Sequence, residues 1–181
     1  MRRLAFSCVL LLPLGLAACG GGPATSRVGD YVGGPVRVEC APFARALSGV
    51  RLYGHAADWW WQADGRYARS VSPEVGSVLV FQRSSRLPSG HVAVVSQVLS
   101  QREILVTQAN WVRNRVSADQ PVIDVSPRGD WSEVRVWWPP TGQMGTHEYP
   151  AHGFIRSTSP SSRDQLITAT PRAIKVAAAG G

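Results

Sequence analysis

Short apolar segments separated by turn residues dominate the middle of the chain. They lie at 77–81, 91–95, 104–107, 122–125 and 134–138, with glycine, proline and serine between them. Apolar runs of this length, bounded by turn residues, are typical of buried β-strands. The pattern therefore predicts a small antiparallel sheet.

A helical pattern precedes these strands. Pro42 has no backbone N–H and so suits the first turn of a helix, and Phe43 and Leu47, four residues apart, share one helical face. Gly49 supplies the left-handed residue that often ends a helix. The segment therefore predicts a helix that starts near Cys40 and ends at about residue 48.

The order of the elements predicts the fold class. A second helical stretch is predicted at 55–63, so the helices come before the strands rather than alternating with them. This segregation indicates an α+β fold in which N-terminal helices pack on a small antiparallel β-sheet, over a domain at 36–140. Residues 141–156 predict a loop, and residues 157–181, rich in Ser, Thr, Pro and Ala, predict a disordered tail.

The first residues form a separate unit. Two arginines precede an apolar segment at 4–16 that is too short to cross a membrane, and Ala-Ala-Cys follows. This ending resembles the lipobox of bacterial lipoproteins, in which cleavage precedes an acylated cysteine. The resemblance implies a signal peptide over 1–18, lipidation of Cys19, a flexible tether over 19–35 and a lipid-anchored location on the periplasmic face of the outer membrane. An ordinary secretory signal cleaved after Ala18 is the alternative.

The predicted signal peptide changes the interpretation of the three cysteines. Cys8 lies in the predicted signal peptide and Cys19 at the lipidation site, which leaves Cys40 without a disulfide partner in an oxidising compartment. A single retained thiol is either a small buried apolar residue or a reactive group. At the start of a helix, free N–H groups and the helix dipole favour the thiolate. We therefore interpret Cys40 as a nucleophile.

Charge and histidine spacing restrict the kinds of partner and ligand that we predict. The formal net charge is +7, and nearly all basic residues are scattered arginines. This pattern fits an anionic envelope polymer, but a solvated surface fits equally well. No nucleic-acid motif is present, so we predict no nucleic-acid partner. We also predict a monomer. His55, His147 and His152 lack the spacing of metal ligands, and we predict neither metal nor cofactor.

A cysteine nucleophile needs a base and a group that orients the base. His91 follows Gly90 and opens a predicted strand, so a rigid element would position its ring. The next strand leads into Gln108-Ala109-Asn110, in which the two amide side chains share one face of an extended chain. Either amide oxygen can accept a hydrogen bond from the imidazole. We assign this role to Gln108 and keep Asn110 as the neighbour that shares or takes it.

The tryptophans are candidates for substrate binding. Consecutive residues of a helix point in different directions, so the run at 59–61 should place one ring in the core and another at the surface or in a cleft. A ring in a cleft can stack on a sugar or pack a peptide. We take Trp59, Trp60 and Trp111 as the candidates, with core packing as the alternative for the first two.

Together these motifs resemble the CHAP family of cysteine, histidine-dependent amidohydrolases and peptidases, within the papain-like NlpC/P60 group. The resemblance covers about residues 38–138 and rests on Cys40 at a helix start, a tryptophan-rich second helix, and the segments at 73–81, 90–95 and 108–111. It implies a papain-like fold and cleavage of a peptidoglycan amide through a thioester. The cysteine attacks, the histidine is the general base, and a polar residue orients the histidine.

One position departs from the family pattern. Many CHAP enzymes carry Glu-x-Asn where this chain has Gln108-Ala109-Asn110, and a neutral amide holds an imidazolium less firmly than a carboxylate does. This departure motivates an alternative, in which a non-catalytic lipoprotein uses the same cleft to bind peptidoglycan or to regulate another hydrolase. Acyl transfer through the same thioester is a third interpretation.

Overall fold

A computed structural model describes residues 29–158 and 161–180. The predicted signal peptide, Cys19 and residues 19–28 of the predicted tether lie outside the described residues. The helices are α1 (Cys40–Ser48), a 3-10 turn (Ala56–Asp58), α2 (Trp59–Gln62) and α3 (Arg163–Ala179). The strands are β1 (Arg69–Ser70), β2 (Val78–Phe81), β3 (His91–Ser100), β4 (Glu103–Ala109), β5 (Val116–Asp124), β6 (Glu133–Trp138), β7 (Gln143–Met144) and β8 (Tyr149–Ile155).

The strands form an antiparallel sheet that closes on itself. Their order is β1-β8-β2-β3-β4-β5-β6-β7, and β8 also pairs with β6. The strands from β8 to β6 therefore surround a common interior, as in a barrel. The predicted mixture of helices and antiparallel strands is confirmed. The expected small sheet is only partly matched, because the described residues form an eight-stranded sheet that closes on itself and only a few helices.

Two apolar cores use opposite faces of the same strands. In β2, Val78 and Val80 face the core shared with α1 and α3, whereas Leu79 and Phe81 face the barrel interior. Successive strand residues point to opposite faces, so both sets are buried. This arrangement explains why β2 has a continuous apolar sequence instead of an alternating one.

Helix α1 has the predicted bounds. It starts at Cys40 and ends at Ser48, and Gly49 follows in a left-handed conformation with φ of 76°. Phe43 and Leu47 are both buried against the strands. The helix therefore carries Cys40 at its first residue, where it packs against the sheet.

The last part of the predicted tether is docked on the barrel. The backbone N–H of Val32 donates to the Val116 carbonyl at 2.8 Å, and that of Gly29 donates to the Asp119 carbonyl at 3.0 Å. The prediction of a flexible tether is therefore wrong for residues 29–32. Backbone pairing covers the start of β5, which glycine-rich composition does not reveal.

The structure also corrects the prediction of a loop at 141–156, because residues 149–155 form β8 and complete the barrel. Pro150 and Gly153 interrupt the strand pattern in the sequence. Gly153 has φ of 122°, and a Cβ there would lie 2.6 Å from the Ser70 carbonyl oxygen. The strand thus needs glycine where it lies beside β1, and this need hides the strand from pattern analysis.

The predicted disordered tail contains α3. Ser162 and Gln165 form a capping box at its start. The buried stripe consists of Leu166, Thr170, Ala173 and Ala177. The prediction was wrong because these side chains are mostly small or polar and give little hydrophobic signal. No helix in the described ranges is long and apolar enough to cross a bilayer.

Candidate active site

The Cys40 sulfur lies where α1 meets β3. The backbone N–H groups of Val92, Ala41 and Cys40 lie near this sulfur and lower its pKa. Val92 directly follows His91 in β3, so the thiol lies beside the strand end that carries the histidine. In the described part of the chain Cys40 is a free cysteine.

Burial governs the protonation of this thiol. Loss of hydration raises the pKa of Cys40, and the Glu39 carboxylate raises it further, whereas the N–H groups of Val92, Ala41 and Cys40 lower it. The net direction is upward from an ordinary value of 9.0. The prediction that the helix start favours the thiolate is therefore wrong for the resting protein. The thiol is the resting form at neutral pH.

The start of β3 fixes the position of His91. The preceding Gly90 has φ of 71°, and a Cβ there would lie 2.6 Å from the Cβ and N atoms of Ala57. The Ala57 N–H also donates to the Ser89 carbonyl at 3.0 Å. The loop is thus held against the 3-10 turn, and it delivers His91, only 4% exposed, to the first position of the strand.

Hydrogen bonds connect His91 to the opposite side of the barrel. Its Nε2 lies 2.7 Å from Oε1 of Gln108. Nε2 of Gln108 donates to Oε1 of Gln120 at 2.8 Å, and Nε2 of Gln120 donates to the Trp137 carbonyl at 2.6 Å. The hydrogen bond expected between Gln108 and His91 is present, whereas the sequence did not indicate Gln120.

The end of this chain sets the direction of every bond in it. The Trp137 carbonyl can only accept, so the Gln120 amide nitrogen must face it and the Gln120 oxygen must face Gln108. The Gln108 oxygen is then left to accept from His91. The neutral imidazole consequently carries its proton on Nε2, which leaves the lone pair on Nδ1.

Burial keeps this imidazole neutral. It lowers the pKa of His91 to about 4, although the hydrogen bond to Gln108 raises it in part. A neutral amide cannot offset the charge of a buried imidazolium as a carboxylate would. At neutral pH the site therefore contains a thiol and a neutral imidazole.

Asn110 is not placed to orient His91. Its Nδ2 donates to the Glu39 carboxylate at 2.9 Å, and its Oδ1 accepts from the Asn114 N–H at 2.9 Å. Its backbone has φ of 61°, a conformation that asparagine tolerates better than most residues. The expectation that Asn110 shares the role of Gln108 is corrected: Asn110 connects the turn after β4 to the residue before Cys40.

The three candidate tryptophans have separate locations. Trp59 is 0% exposed in the apolar core, so the prediction that it binds substrate is wrong. Trp60 stacks on His152 at a centroid distance of 5.6 Å, on the β8 side of the barrel. Of these candidates, Trp111 contacts the imidazole, with ring centroids of Trp111 and His91 5.2 Å apart.

A cavity of about 380 Å³ lies beside Trp111. Arg86, Trp138 and Tyr149 also line it, and the Tyr149 ring is 5.0 Å from that of Trp111. These residues were not predicted as site residues. Tyr149 belongs to the strand mistaken for a loop, and Arg86 lies in the loop before β3, so no periodic pattern identified them.

Comparison with known proteins gave one family match. A search of curated proteins found no match. The family model of the CHAP domain matches residues 29–110, slightly less than half of the chain, and this segment contains Cys40, His91 and Gln108. CHAP domains are typically amidases or peptidases that act on peptidoglycan. The segment that carries the candidate active site is therefore similar to the CHAP domain.

Proposed function

We propose that this protein is a cysteine hydrolase that cleaves an amide bond of peptidoglycan through a thioester. The observation that carries the proposal is the buried hydrogen-bond chain that gives His91 a single neutral tautomer beside Cys40. The match to the CHAP domain supports the substrate class.

The first half of the reaction transfers the acyl group to sulfur. Cys40 Sγ bonds to the carbonyl carbon while Nδ1 of His91 accepts the thiol proton. The N–H groups of Cys40 and Ala41 have no acceptor four residues earlier within α1, and they stabilise the oxyanion. The carbon–nitrogen bond then breaks, and the imidazolium protonates the leaving amine.

The second half releases the acyl group. His91, neutral again, removes a proton from water as the water oxygen attacks the thioester carbonyl. The carbon–sulfur bond breaks, the imidazolium returns the proton to sulfur, and the product leaves as a carboxylic acid that loses its proton to solvent. Gln108 accepts from Nε2 in both steps, so Nδ1 keeps its role as the site of proton exchange.

This mechanism makes a prediction for the thiol. Because burial raises the pKa of Cys40, the proton moves during attack and not before it. We expect iodoacetamide to label Cys40 more slowly than free cysteine at neutral pH, with a rate that rises above pH 9. Mass spectrometry of the labelled protein measures this rate. Rapid labelling that is constant from pH 6 to pH 8 would contradict the assignment of a neutral thiol.

Digestion of purified sacculi tests the function. The wild-type protein should release muropeptides, whereas Cys40→Ala and His91→Ala should each lose at least about 10²-fold in rate. His55→Ala is the matched control, because His55 is exposed and lies outside the site. Full activity of Cys40→Ala would overturn the mechanism. Binding of sacculi without any cleavage by the wild type would favour the non-catalytic alternative.

We also propose that lipid on Cys19 anchors the protein to the outer membrane. The support is the sequence pattern alone, because Cys19 lies outside the described residues. Cys19→Ser should abolish incorporation of labelled palmitate and release the protein from the membrane fraction, and Cys8→Ser should do neither. Continued palmitate incorporation by Cys19→Ser would refute the anchor.

A further inference from the structure

The cavity beside Trp111 is separated from the catalytic imidazole by one side chain. Trp111 lines the cavity and also contacts the His91 ring, at a centroid distance of 5.2 Å. The other lining residues come from the loop before β3, from β6 and from residues 141–149. None of them belongs to α1, which carries Cys40. The cavity therefore lies on the imidazole side of the site.

The chemistry of the reaction assigns this side to one half of the substrate. After attack, the acyl half is bonded to the Cys40 sulfur. The amine half must receive its proton from the His91 imidazolium, so it leaves from the imidazole side. A cavity adjoining the imidazole wall is thus placed to hold the amine half of the scissile bond.

The cavity walls favour a particular chemistry in that half. Trp111, Tyr149 and Trp138, which is 39% exposed, supply aromatic surface for packing. Arg86 is exposed, and no carboxylate in the described ranges forms an ion pair with it. Glu148, next to Tyr149 in sequence, pairs with Arg135 and is not a lining residue.

Arg86 therefore supplies a positive charge without a carboxylate partner at an aromatic cavity of about 380 Å³, a volume typical of small-molecule sites. Guanidinium groups bind carboxylates by paired, charge-assisted hydrogen bonds. The complementary ligand is an acidic peptide segment, with a carboxylate near Arg86 and its stem against the aromatic rings.

We propose that this cavity binds the amine half of the substrate and that Arg86 selects an amine half that carries a free carboxylate. This inference rests on the proposed amide hydrolysis. It narrows the substrate class to peptidoglycan bonds whose leaving amine belongs to an acidic peptide or amino acid.

Two measurements test the proposal. The first compares cleavage of soluble muropeptides that have free carboxylates with cleavage of the same fraction after conversion to carboxamides. We expect the wild type to prefer the acidic form at least about tenfold in kcat/KM. Arg86→Gln should lose this preference, mainly through KM. Arg172→Gln, which removes an exposed arginine on α3, should retain it.

The second measurement needs no cleavage. L-alanyl-D-glutamate and meso-diaminopimelate, each with its amidated form, are titrated into Cys40→Ala protein and followed by NMR. We expect at least one acidic probe to shift signals of Trp111 and Trp138, and the shift to disappear with the amidated form or after Arg86→Gln.

The outcomes separate the two proposals. If kcat/KM is the same for acidic and amidated muropeptides and Arg86→Gln does not change it, the cavity assignment is overturned and the hydrolase proposal stands. Binding of an acidic probe that depends on Arg86, in a protein that cleaves no muropeptide, supports the cavity assignment and overturns hydrolysis. The cavity assignment is also overturned if none of the four probes binds and if amidation does not change the rate of cleavage.

Discussion

The buried chain behind His91 and the cavity beside Trp111 are neighbours with opposite properties. Gln108 and Gln120 are 1% and 0% exposed. Each accepts one hydrogen bond through its amide oxygen and donates one through its amide nitrogen. Arg86, in contrast, is exposed and has no carboxylate partner among the described residues. A buried network whose members satisfy one another fixes geometry, whereas an unpaired cation on an aromatic wall is available to a ligand.

The comparison predicts that the largest loss of activity comes from replacing Gln108, the first residue of the hydrogen-bond chain behind His91. Gln108→Leu should lower kcat by about 10²-fold with little change in KM, because His91 loses the acceptor that holds its tautomer. The variant should also lose about 1–3 kcal/mol in the free energy of unfolding, since Gln120 loses its partner. Steady-state kinetics and denaturant unfolding measure the two effects.

Gln108→Glu is the informative partner of that variant. A carboxylate still accepts from Nε2 and stabilises the imidazolium, so it should move the acid limb of the pH–rate profile upward from about pH 4. Its second oxygen faces the Gln120 oxygen, so it should restore only part of the activity that Gln108→Leu loses. Equal kcat in Gln108→Leu and the wild type would show that the chain does not position the base.

Acid should destabilise the protein through His91. Burial lowers its pKa from 6.5 to about 4, so between these values the unfolded chain binds a proton that the folded protein excludes. The contribution of His91 to the free energy of unfolding is fully present above pH 6.5, is lost as the pH falls to about 4, and changes little below that. The expected loss is about 3 kcal/mol.

His91→Gln isolates the contribution of this titration, because the amide nitrogen of glutamine reaches the position of Nε2 and can still donate to Gln108 but does not titrate. The free energy of unfolding should fall less between pH 7 and pH 4 in His91→Gln than in the wild type, by about 3 kcal/mol. Parallel pH dependences of the two proteins would mean that the imidazole is accessible to solvent protons in the folded state.

A smaller loss of activity is expected from replacing Gln120, the next residue of the hydrogen-bond chain. Gln120→Leu frees the Gln108 amide to turn its nitrogen toward His91, which would place the imidazole proton on Nδ1. We expect kcat to fall about tenfold at constant KM. Imidazole ¹⁵N shifts measure the tautomer directly. A retained Nε2–H form in Gln120→Leu would limit the role of Gln120 to stability.

The smallest effect is predicted in the cavity. Trp138→Ala removes one partly exposed aromatic wall without touching His91 or its hydrogen bonds. KM should rise roughly threefold, and kcat should stay unchanged. The same kinetic assay measures both constants, and a loss confined to kcat would place Trp138 in the catalytic machinery instead of the cavity wall.

Local patterns in the sequence were sufficient to predict α1, the central strands, and the pair of His91 with Gln108. Helix α1 and each central strand follow from spacing within one segment, such as Pro42 in the first turn of α1, whereas the pair of His91 with Gln108 follows from two predicted strands that are consecutive in the chain. The role of Gln120 was hidden because it depends on pairing between strands. Val106 faces Gln120, but Gln108 faces Ser117, so a bulge in β5 changes the register there.

The pKa of Cys40 was also beyond local reasoning. The helix start and its N–H groups are visible in the sequence, and they act in the predicted direction. The larger effect is burial against β3, which requires the tertiary structure. The same limit applies to β8, in which Gly153 is explained by its contact with β1 and Pro150 pairs with β6.

Detection of the acyl-enzyme is the most direct test of the account. Wild-type protein is mixed with soluble muropeptides, quenched in acid within one turnover, digested and examined by mass spectrometry. The account predicts an acyl adduct on the peptide that contains Cys40, released by hydroxylamine and missing in Cys40→Ala. Turnover of muropeptides by Cys40→Ala at the wild-type rate, with no adduct on the wild type, would contradict it.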